Sequence, residues 1–444
     1  MSGLFGTDGV RGIANADLSP ELAFRLGEAA GHFLGEYGRG RIVVGKDTRR
    51  SGDMLEAALV AGICSGGAQA LLCGVIPTPG VAYVTRTLEA DGGVVISASH
   101  NPAEYNGIKF FSREGFKLPD ELEDEIGEFV VRDRDWERPT GAGLGSCEHL
   151  AQAVELYVSH GCASLQADLA GLRVAVDCGH GASSVSTPEA FRRLGAEVTA
   201  LNCDWDGTDI NRASGSTHIR ALAELVREDG FDLGIAHDGD ADRLIAVDER
   251  GEEVDGDLVM AICAKDLKER GRLARDTVVA TVMSNMGLEV ALRSMGVTLV
   301  KTRVGDRYVL DGMRASGAVL GGEQSGHVIF MEHNTTGDGL VTALQLASVM
   351  RASGAALSEL ARVMTRFPQV LENVIVADKG RLGASAAVAE AVRAAEERLG
   401  DDGRVLVRAS GTEPVVRVMA EAADGEAARE AVEEIAAVVR EELG

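Results

Sequence analysis

Aromatic residues supply only 4% of this 444-residue chain, too few for the stacking platforms on which bases or sugar faces are read. Recognition must run through charges and hydrogen bonds. Cationic charge is also short: 44 Lys and Arg face 69 Asp and Glu, a net charge of −25 that repels a phosphate backbone or an anionic membrane over most of the surface. Nucleic acid and membranes are therefore poor partners, and any small anion has to be met by locally clustered Arg and Lys. No apolar run reaches the length of a membrane span and no basic-then-apolar segment opens the chain, so the expected location is cytoplasmic. Cys-x-x-Cys spacing is absent. The seven cysteines, at 64, 73, 147, 162, 178, 203 and 263, are expected to be reduced, buried thiols.

The length calls for two to four domains. Ser19-Pro20 reads as a helix start, with Leu22, Leu26, Ala30 and Phe33 on one apolar face. Short Val/Ile/Leu-bearing strands at 41–45, 70–72 and 93–97 alternate with helix-length segments, and the rhythm recurs at 173–177, 197–201 and 232–236, then at 277–282, 297–301 and 318–320. That alternation predicts three similar α/β domains. Polar or acidic stretches at 133–146 and 248–257, and Phe367-Pro368, mark the boundaries, giving 1–145, 146–252, 253–367 and 368–444. The last is a smaller α+β unit: strands at 403–408 and 414–419 flank a tight loop, and a helix from about Asp424 carries Val432, Ile435 and Val439 on one face.

Five runs carry chemistry. Ser97-Ala98-Ser99-His100-Asn101-Pro102 follows the apolar Val94-Val95-Ile96 and so emerges at a strand's C-terminal end, where open α/β sheets bind ligands. Ser99 is either an activated nucleophile or a capping group in an Asn-Pro turn. Asp238-Gly239-Asp240-Ala241-Asp242-Arg243 lies between two apolar strands. Alternate spacing in an extended segment would put its three carboxylates on one side, where they repel unless a hard divalent cation such as Mg²⁺ is bound. An EF-hand would share Asp-x-Asp-x-Asp and place Glu249 as its last ligand, but Arg243 stands where that loop needs Gly. An acidic solvated turn is the remaining reading.

Arg408-Ala409-Ser410-Gly411-Thr412-Glu413-Pro414, with Arg417, is either a phosphate nest or a Gly-centred hairpin. Gly321-Gly322-Glu323-Gln324-Ser325-Gly326-His327 mixes carboxylate, amide, hydroxyl and imidazole, a set that suits a polyhydroxy ligand. Arg11, in the Gly-bracketed run Gly6 to Gly12, and Lys109 are cations able to stabilise a transferring phosphoryl group. Lys109 could exchange a proton with a substrate hydroxyl if its pKa is depressed.

In this order the five runs resemble the α-D-phosphohexomutase superfamily over essentially the whole chain. Leu4-Phe5-Gly6-Thr7-Asp8-Gly9-Val10-Arg11-Gly12, Gly-Glu-Gln-Ser-Gly-His at 322–327 and Asn334-Thr335-Thr336-Gly337-Asp338-Gly339 are most similar to the bacterial branch that acts on glucosamine phosphates. Phosphomannomutase/phosphoglucomutase relatives tend to carry Met where Gln324 stands. The resemblance implies an α/β fold with mixed sheets around a central cleft. It implies that Ser99 is a phosphoserine, and that Asp238, Asp240 and Asp242 hold one Mg²⁺ per subunit together with the Ser99 phosphate. Arg243, His100 and Arg11 would contact the transferring group, and Lys109 would be the general acid/base. Glu323, Ser325 and His327 match the sugar loop. Arg408, Ser410, Gly411, Thr412 and Arg417 match the grip on the idle phosphate.

The activity implied is interconversion of glucosamine 6-phosphate and glucosamine 1-phosphate, an early step toward UDP-N-acetylglucosamine and the bacterial wall. Glucosamine 1,6-bisphosphate would be intermediate and activator, and a hinge near Phe367-Pro368 would let it turn over. The partner is a small-molecule sugar phosphate; a homodimer is left open. Alternatives are a phosphomannomutase/phosphoglucomutase, a phosphatase, and a non-catalytic sugar-phosphate or Ca²⁺-binding protein.

Overall fold

The computed structural model describes residues 4–6, 8–35, 40–131, 136–165, 167–410 and 415–444. Four sheets follow one another along the chain. The first is built from β1 (Val10–Ile13), β2 (Arg41–Lys46), β3 (Gln69–Val75), β4 (Gly92–Ile96), β5 (Tyr105–Ser112) and β6 (Cys147–His149), in the order β1-β5-β4-β2-β3-β6. Helices α1 (Pro20–Phe33), α2 (Ser51–Ser65), α3 (Thr78–Thr87) and α4 (Asp120–Val131) connect or follow its strands. β4, β2, β3 and β6 run parallel, whereas β5 is antiparallel to both β4 and β1.

Ser19 accepts the Leu22 N–H and Pro20 occupies the first turn of α1, the arrangement expected from the sequence. The helix buries Ala23, Leu26, Gly27 and Ala30 while Leu22 and Phe33 are only half-buried, because α2 packs so close that a Cβ on Gly27 would stand 2.1 Å from the Leu59 carbonyl oxygen. Leu26, Ile42, Val44, Leu59, Val94 and Phe110 lie in the resulting core.

The second sheet takes β7 (Arg173–Asp177), β8 (Glu197–Leu201), β9 (Leu233–Ala236), β10 (Ile245–Asp248) and β11 (Glu253–Val254) in the order β11-β10-β9-β7-β8, with α5 (Ala153–Ala163), α6 (Thr187–Arg193) and α7 (Arg220–Asp229). The third takes β12 (Thr277–Thr281), β13 (Thr298–Thr302), β14 (Leu320–Gly322) and β15 (Val328–Phe330) in the order β13-β12-β14-β15. The helices of this stretch of chain are, in order, α8 (Gly256–Glu269), α9 (Met286–Ser294), α10 (Asp306–Ser316), α11 (Gly339–Ser353) and α12 (Leu357–Leu360). Each of these three sheets keeps a parallel core whose last strand pairs antiparallel with the next one in sequence: β4 with β5, β9 with β10 and β14 with β15. The sheets are therefore mixed, as expected.

The chain divides into two compact units, one of Met1–Met283 with Val297–Arg362 and one of Ser284–Gly296 with Val363–Gly444. The second unit holds an antiparallel sheet of β16 (Gln369–Ile375), β17 (Gly403–Ala409) and β18 (Val415–Ala422), ordered β16-β18-β17, with α13 (Ala386–Leu399) and α14 (Gly425–Leu443). Val432, Ile435 and Val439 of α14 pack with Val416 and Val418 in its core. α9 belongs to this unit because the fully buried Glu421 carboxylate accepts both the Met286 N–H and the Arg404 Nε–H at 2.8 Å.

All seven cysteines are free, but only Cys178 and Cys263 are buried. Cys147 and Cys203 are exposed, contrary to the expectation, because the first sits on the short edge strand β6 and the second in the loop after β8. No single helix among the described residues is long and apolar enough to cross a membrane.

Candidate active site

In each of the three α/β sheets, the loop joining the last parallel strand to the antiparallel one carries the residues singled out from sequence. Between β4 and β5 stands Ser99, between β9 and β10 stand the three aspartates, and between β14 and β15 stands Glu323. Ser99 is buried and its backbone is left-handed, with φ 52°. Its hydroxyl donates to Asp238 Oδ2 at 2.5 Å and lies 3.3 Å from His100 Nδ1. Burial, and after it Arg243 and Arg11, bring the His100 imidazole down to about 4, so it is neutral at pH 7 and acts as a hydrogen-bonding group rather than a charge.

Asp238, Asp240 and Asp242 are 0, 0 and 6% exposed, and one oxygen from each lies within 4.8 Å of the others. The segment is not extended. It is a turn, closed by the Ala241 N–H on the Asp238 carbonyl, with Ala241 at φ 55°, so the carboxylates converge by backbone reversal rather than by strand alternation. The flanking β9 and β10 form a hairpin instead of two helices, and Glu249 accepts the Ser358 N–H at 3.2 Å and its hydroxyl, which removes the EF-hand reading.

Burial, and behind it the Asp242 and Asp240 charges, push the Asp238 carboxyl well above its usual range. Asp240 Oδ1 and Asp242 Oδ1 are buried without hydrogen-bond partners. Three converging carboxylates with orphaned oxygens fit a hard divalent cation. Thr78 Oγ1 donates to Asp240 Oδ2 at 2.6 Å. His327 Nδ1 stands 3.4 Å from Asp242 Oδ2, and the Gly337 N–H donates to His327 Nε2 at 3.1 Å. That donor leaves the imidazole proton on Nδ1, facing the carboxylate. Gly337 has to be glycine, since a Cβ would come 2.5 Å from the His327 ring.

Lys109, on β5, donates to Asp240 Oδ2 at 2.9 Å and lies 3.0 Å from Asp8 Oδ2. Burial opposes its charge, but Asp240 and Asp8 outweigh burial and hold the ammonium well above the usual lysine range. The depressed lysine that the sequence reading required is thus not what this arrangement creates. Asp8 also pairs with Arg11 and Lys117, and Lys117 with Asp306, so a chain of alternating charges crosses from the first α/β sheet's domain to the third's. Glu323 Oε1 accepts the Gly305 N–H at 3.0 Å, and Ser325 Oγ lies 3.4 Å from Glu323 Oε2. Gln324 Nε2 lies 3.4 Å from Asp255 Oδ2. A cavity of about 220 Å³ is lined by Arg11, Ser99, Asp242, Arg243, Glu323 and His327, with Asp8, Val304, Gly305 and Asp306.

In the second unit, Arg408 on β17 and Arg417 on β18 are directly opposed cross-strand partners. Burial and then Arg417 lower the Arg408 pKa, the signature of two cations sharing a place an anion would relieve. Ser410 is buried, and its carbonyl oxygen accepts from Lys379 Nζ at 2.7 Å. Gly411 and Thr412 lie outside the described residues.

Several site residues escaped the sequence reading: Asp8, Thr78, Lys117, Asp306, and the Asp47-Thr48-Arg49 run. Asp8 lies in the Gly6 to Gly12 run beside Arg11, and an acid next to a cation in a Gly-rich loop carries no signal of its own. Asp47 to Arg49 directly follow β2, the same position after a parallel strand that recommended Ser99. Lys117 and Asp306 had no signal, being 189 positions apart in sequence and paired only by the fold.

Four matches tile the chain: Phosphoglucomutase/phosphomannomutase alpha/beta/alpha domain I at residues 2–135, domain II at 148–251, domain III at 255–367, and the C-terminal domain at 371–438. A curated relative from Symbiobacterium thermophilum, named phosphoglucosamine mutase, is 58% identical over 100% of both chains. A crystal structure of a phosphoglucomutase/phosphomannomutase family protein from Burkholderia thailandensis shares the fold with a TM-score of 0.83 at 24% identity, covering 99% of this chain and 98% of that one. So does the Aspergillus fumigatus N-acetylphosphoglucosamine mutase in complex with GlcNAc-6P and magnesium, at a TM-score of 0.72 and 19% identity over 98% and 95%. With all four domain matches in order along the sequence and a close relative matched end to end, the chain belongs to the phosphoglucomutase/phosphomannomutase family, the α-D-phosphohexomutases.

Proposed function

We propose that this enzyme interconverts glucosamine 6-phosphate and glucosamine 1-phosphate through a phosphorylated Ser99. The observation that carries the reading is the buried Ser99 hydroxyl, 2.5 Å from Asp238 and inside a three-carboxylate cluster, facing a cavity lined by Arg11 and Arg243. A serine alone is a weak nucleophile; placed where a cation and two guanidinium groups can neutralise a phosphoryl group, it becomes a carrier for one. The amino sugar rests on the activity named for the Symbiobacterium relative at 58% identity.

The all-carboxylate donor set of Asp238, Asp240 and Asp242 favours Mg²⁺. Bound there, the ion would neutralise charge building up on the transferring phosphoryl oxygens. The chain's own residues do the rest. Arg11 and Arg243 orient the phosphoryl group, and neutral His100 hydrogen-bonds beside the serine oxygen. As the bond from phosphorus to the sugar hydroxyl forms, the bond to Ser99 Oγ breaks. Lys109, held as the ammonium by Asp8 and Asp240, gives a proton to Ser99 Oγ as that bond breaks and takes up the proton the sugar hydroxyl loses, so the ammonium is restored within the same transfer. Glu323 and Ser325 take ring hydroxyls. Arg408, Ser410 and Arg417, with Gly411 and Thr412, hold the phosphate that is not being transferred. The intermediate is then glucosamine 1,6-bisphosphate, which must reverse its ends before the second transfer.

Intact-mass measurement and peptide mapping before and after incubation with glucosamine 6-phosphate test the reading, together with coupled assays on glucosamine, glucose and mannose phosphates. One exchangeable phosphoryl group on Ser99 and a preference for glucosamine are expected. Preference for mannose, or undiminished turnover by Ser99→Ala, would overturn it.

A further inference from the structure

We propose that Arg49 and Asn211 form a two-sided clamp that positions the Ser99 loop, neither of them touching substrate. Arg49 is buried in the loop just after β2, and its side-chain hydrogen bonds all go to protein groups. Nε donates to Asp47 Oδ2 at 2.9 Å, Nη2 to the Ser99 and Asn101 carbonyl oxygens at 2.9 and 2.7 Å, and Nη1 to the Tyr105 carbonyl at 3.0 Å and to that of Pro102. From the second sheet's domain, Asn211 Nδ2 donates to the same two carbonyls, Ser99 at 2.8 Å and Asn101 at 3.1 Å. Each carbonyl offers two lone pairs, and each is met from both sides.

The clamp answers a specific difficulty. Ser99 sits at φ 52°, a region that non-glycine residues rarely hold without surrounding constraint. Asn211 itself sits at φ 60°, a value asparagine tolerates better than most. Below the loop, Asp47 also accepts from Ser97 Oγ, which in turn accepts the Ser99 N–H at 3.0 Å. The loop is therefore tied at Ser99 N and Ser99 O, on either side of the reacting hydroxyl. Because Asn211 shares its domain with Asp238, the same bonds fix the serine against the carboxylate cluster. Lysine cannot replace Arg49: a single ammonium has three donors on one atom and cannot reach four carbonyls arranged around a planar fork.

A residue that acts by position should change turnover rather than substrate affinity. Displacing a reacting atom by an ångström costs about 100-fold in rate. The proposal rests on Ser99 as phosphoryl carrier and not on the identity of the sugar. The test compares wild type, Arg49→Lys and Asn211→Gly by kcat and KM with whichever hexose phosphate the wild type turns over best, and by the rate at which glucose 1,6-bisphosphate phosphorylates Ser99, read by intact mass. Glycine at 211 tolerates the left-handed backbone and removes the side chain that carries the carboxamide. Expected are losses of about 10- to 100-fold in kcat and in Ser99 phosphorylation with KM within about 2-fold, and single effects that do not add in the double variant, since both side chains hold the same carbonyls. Should Arg49→Lys not fold, Asn211→Gly decides alone. A folded Asn211→Gly enzyme with wild-type kcat but a lower melting temperature would overturn the clamp in favour of a merely structural contact, as would a loss confined to KM. Failure of the amino-sugar assignment would show instead in the wild type's own substrate ranking.

Discussion

Replacing Asp238 by Asn should make the metal-free protein more stable and at the same time abolish its response to Mg²⁺. Oxygens of the three carboxylates lie within 4.8 Å of one another, so each ionised pair costs about 3.5 kcal/mol at an effective dielectric constant near 20. The folded chain lowers that cost by keeping a proton on Asp238, whose pKa burial and its two neighbours raise. In the unfolded chain the same group ionises at about pH 3.9. Between that value and the raised folded one, the native state binds more protons than the unfolded state, and stability falls as pH rises.

Asn carries no such penalty and can still accept the Arg243 N–H that now reaches Asp238 Oδ1 at 3.3 Å. In EDTA, the variant should be more stable than wild type at pH 8, and by a smaller margin at pH 5. Adding Mg²⁺ at a hundred times its dissociation constant should stabilise wild type by about 2.7 kcal/mol, with proton release, and Asp238→Asn hardly at all. Urea unfolding at the two pH values, with and without Mg²⁺, measures all four numbers. A variant less stable than wild type in EDTA at pH 8, or one that keeps the full Mg²⁺ response, would refute the reasoning.

His327→Ala removes the Nδ1–H that faces Asp242 from 3.4 Å. It should weaken Mg²⁺ activation by about 10- to 100-fold while leaving the sugar-phosphate KM at saturating metal nearly unchanged, a split read by titrating activity with Mg²⁺. Arg417→Ala removes the cation directly across from Arg408 in the β17–β18 pair. It should raise KM by about 10- to 100-fold, the loss of one charge-assisted hydrogen bond to phosphate, with the phosphorylation of Ser99 by the bisphosphate measured separately at saturation.

Much of this site was legible because its residues come in short runs. Ser99-His100-Asn101-Pro102 and the Asp238 to Asp242 spacing are local patterns, and each follows an apolar strand that can be seen without a structure. Periodicity also located the strands of the parallel cores, to within a residue or two at 41–46, 173–177 and 197–201. Less visible were the antiparallel strands β1 and β5, which begin in Gly- and Asn-containing stretches and derive their pairing from neighbours rather than from their own pattern. The three aspartates of the 238–242 run converge as expected, but by a different geometry. Extended alternation and a tight turn both bring the carboxylates together, and only the left-handed Ala241 distinguishes them.

Residue order alone sets which chemical groups are present and in what local company: a serine after a strand, three acids two residues apart, two arginines across a tight loop. Their charge and protonation states come only from the folded chain. Lys109 is a fixed ammonium because Asp8 and Asp240 meet it from two different domains. His327 serves Asp242 because Gly337 lets the backbone approach its other nitrogen. Ser99 is held in a strained conformation because Arg49 and Asn211, 162 positions apart, grip the same carbonyls. Charge and hydrogen-bond energies depend on distance and burial, and these are set by contacts between residues far apart along the chain.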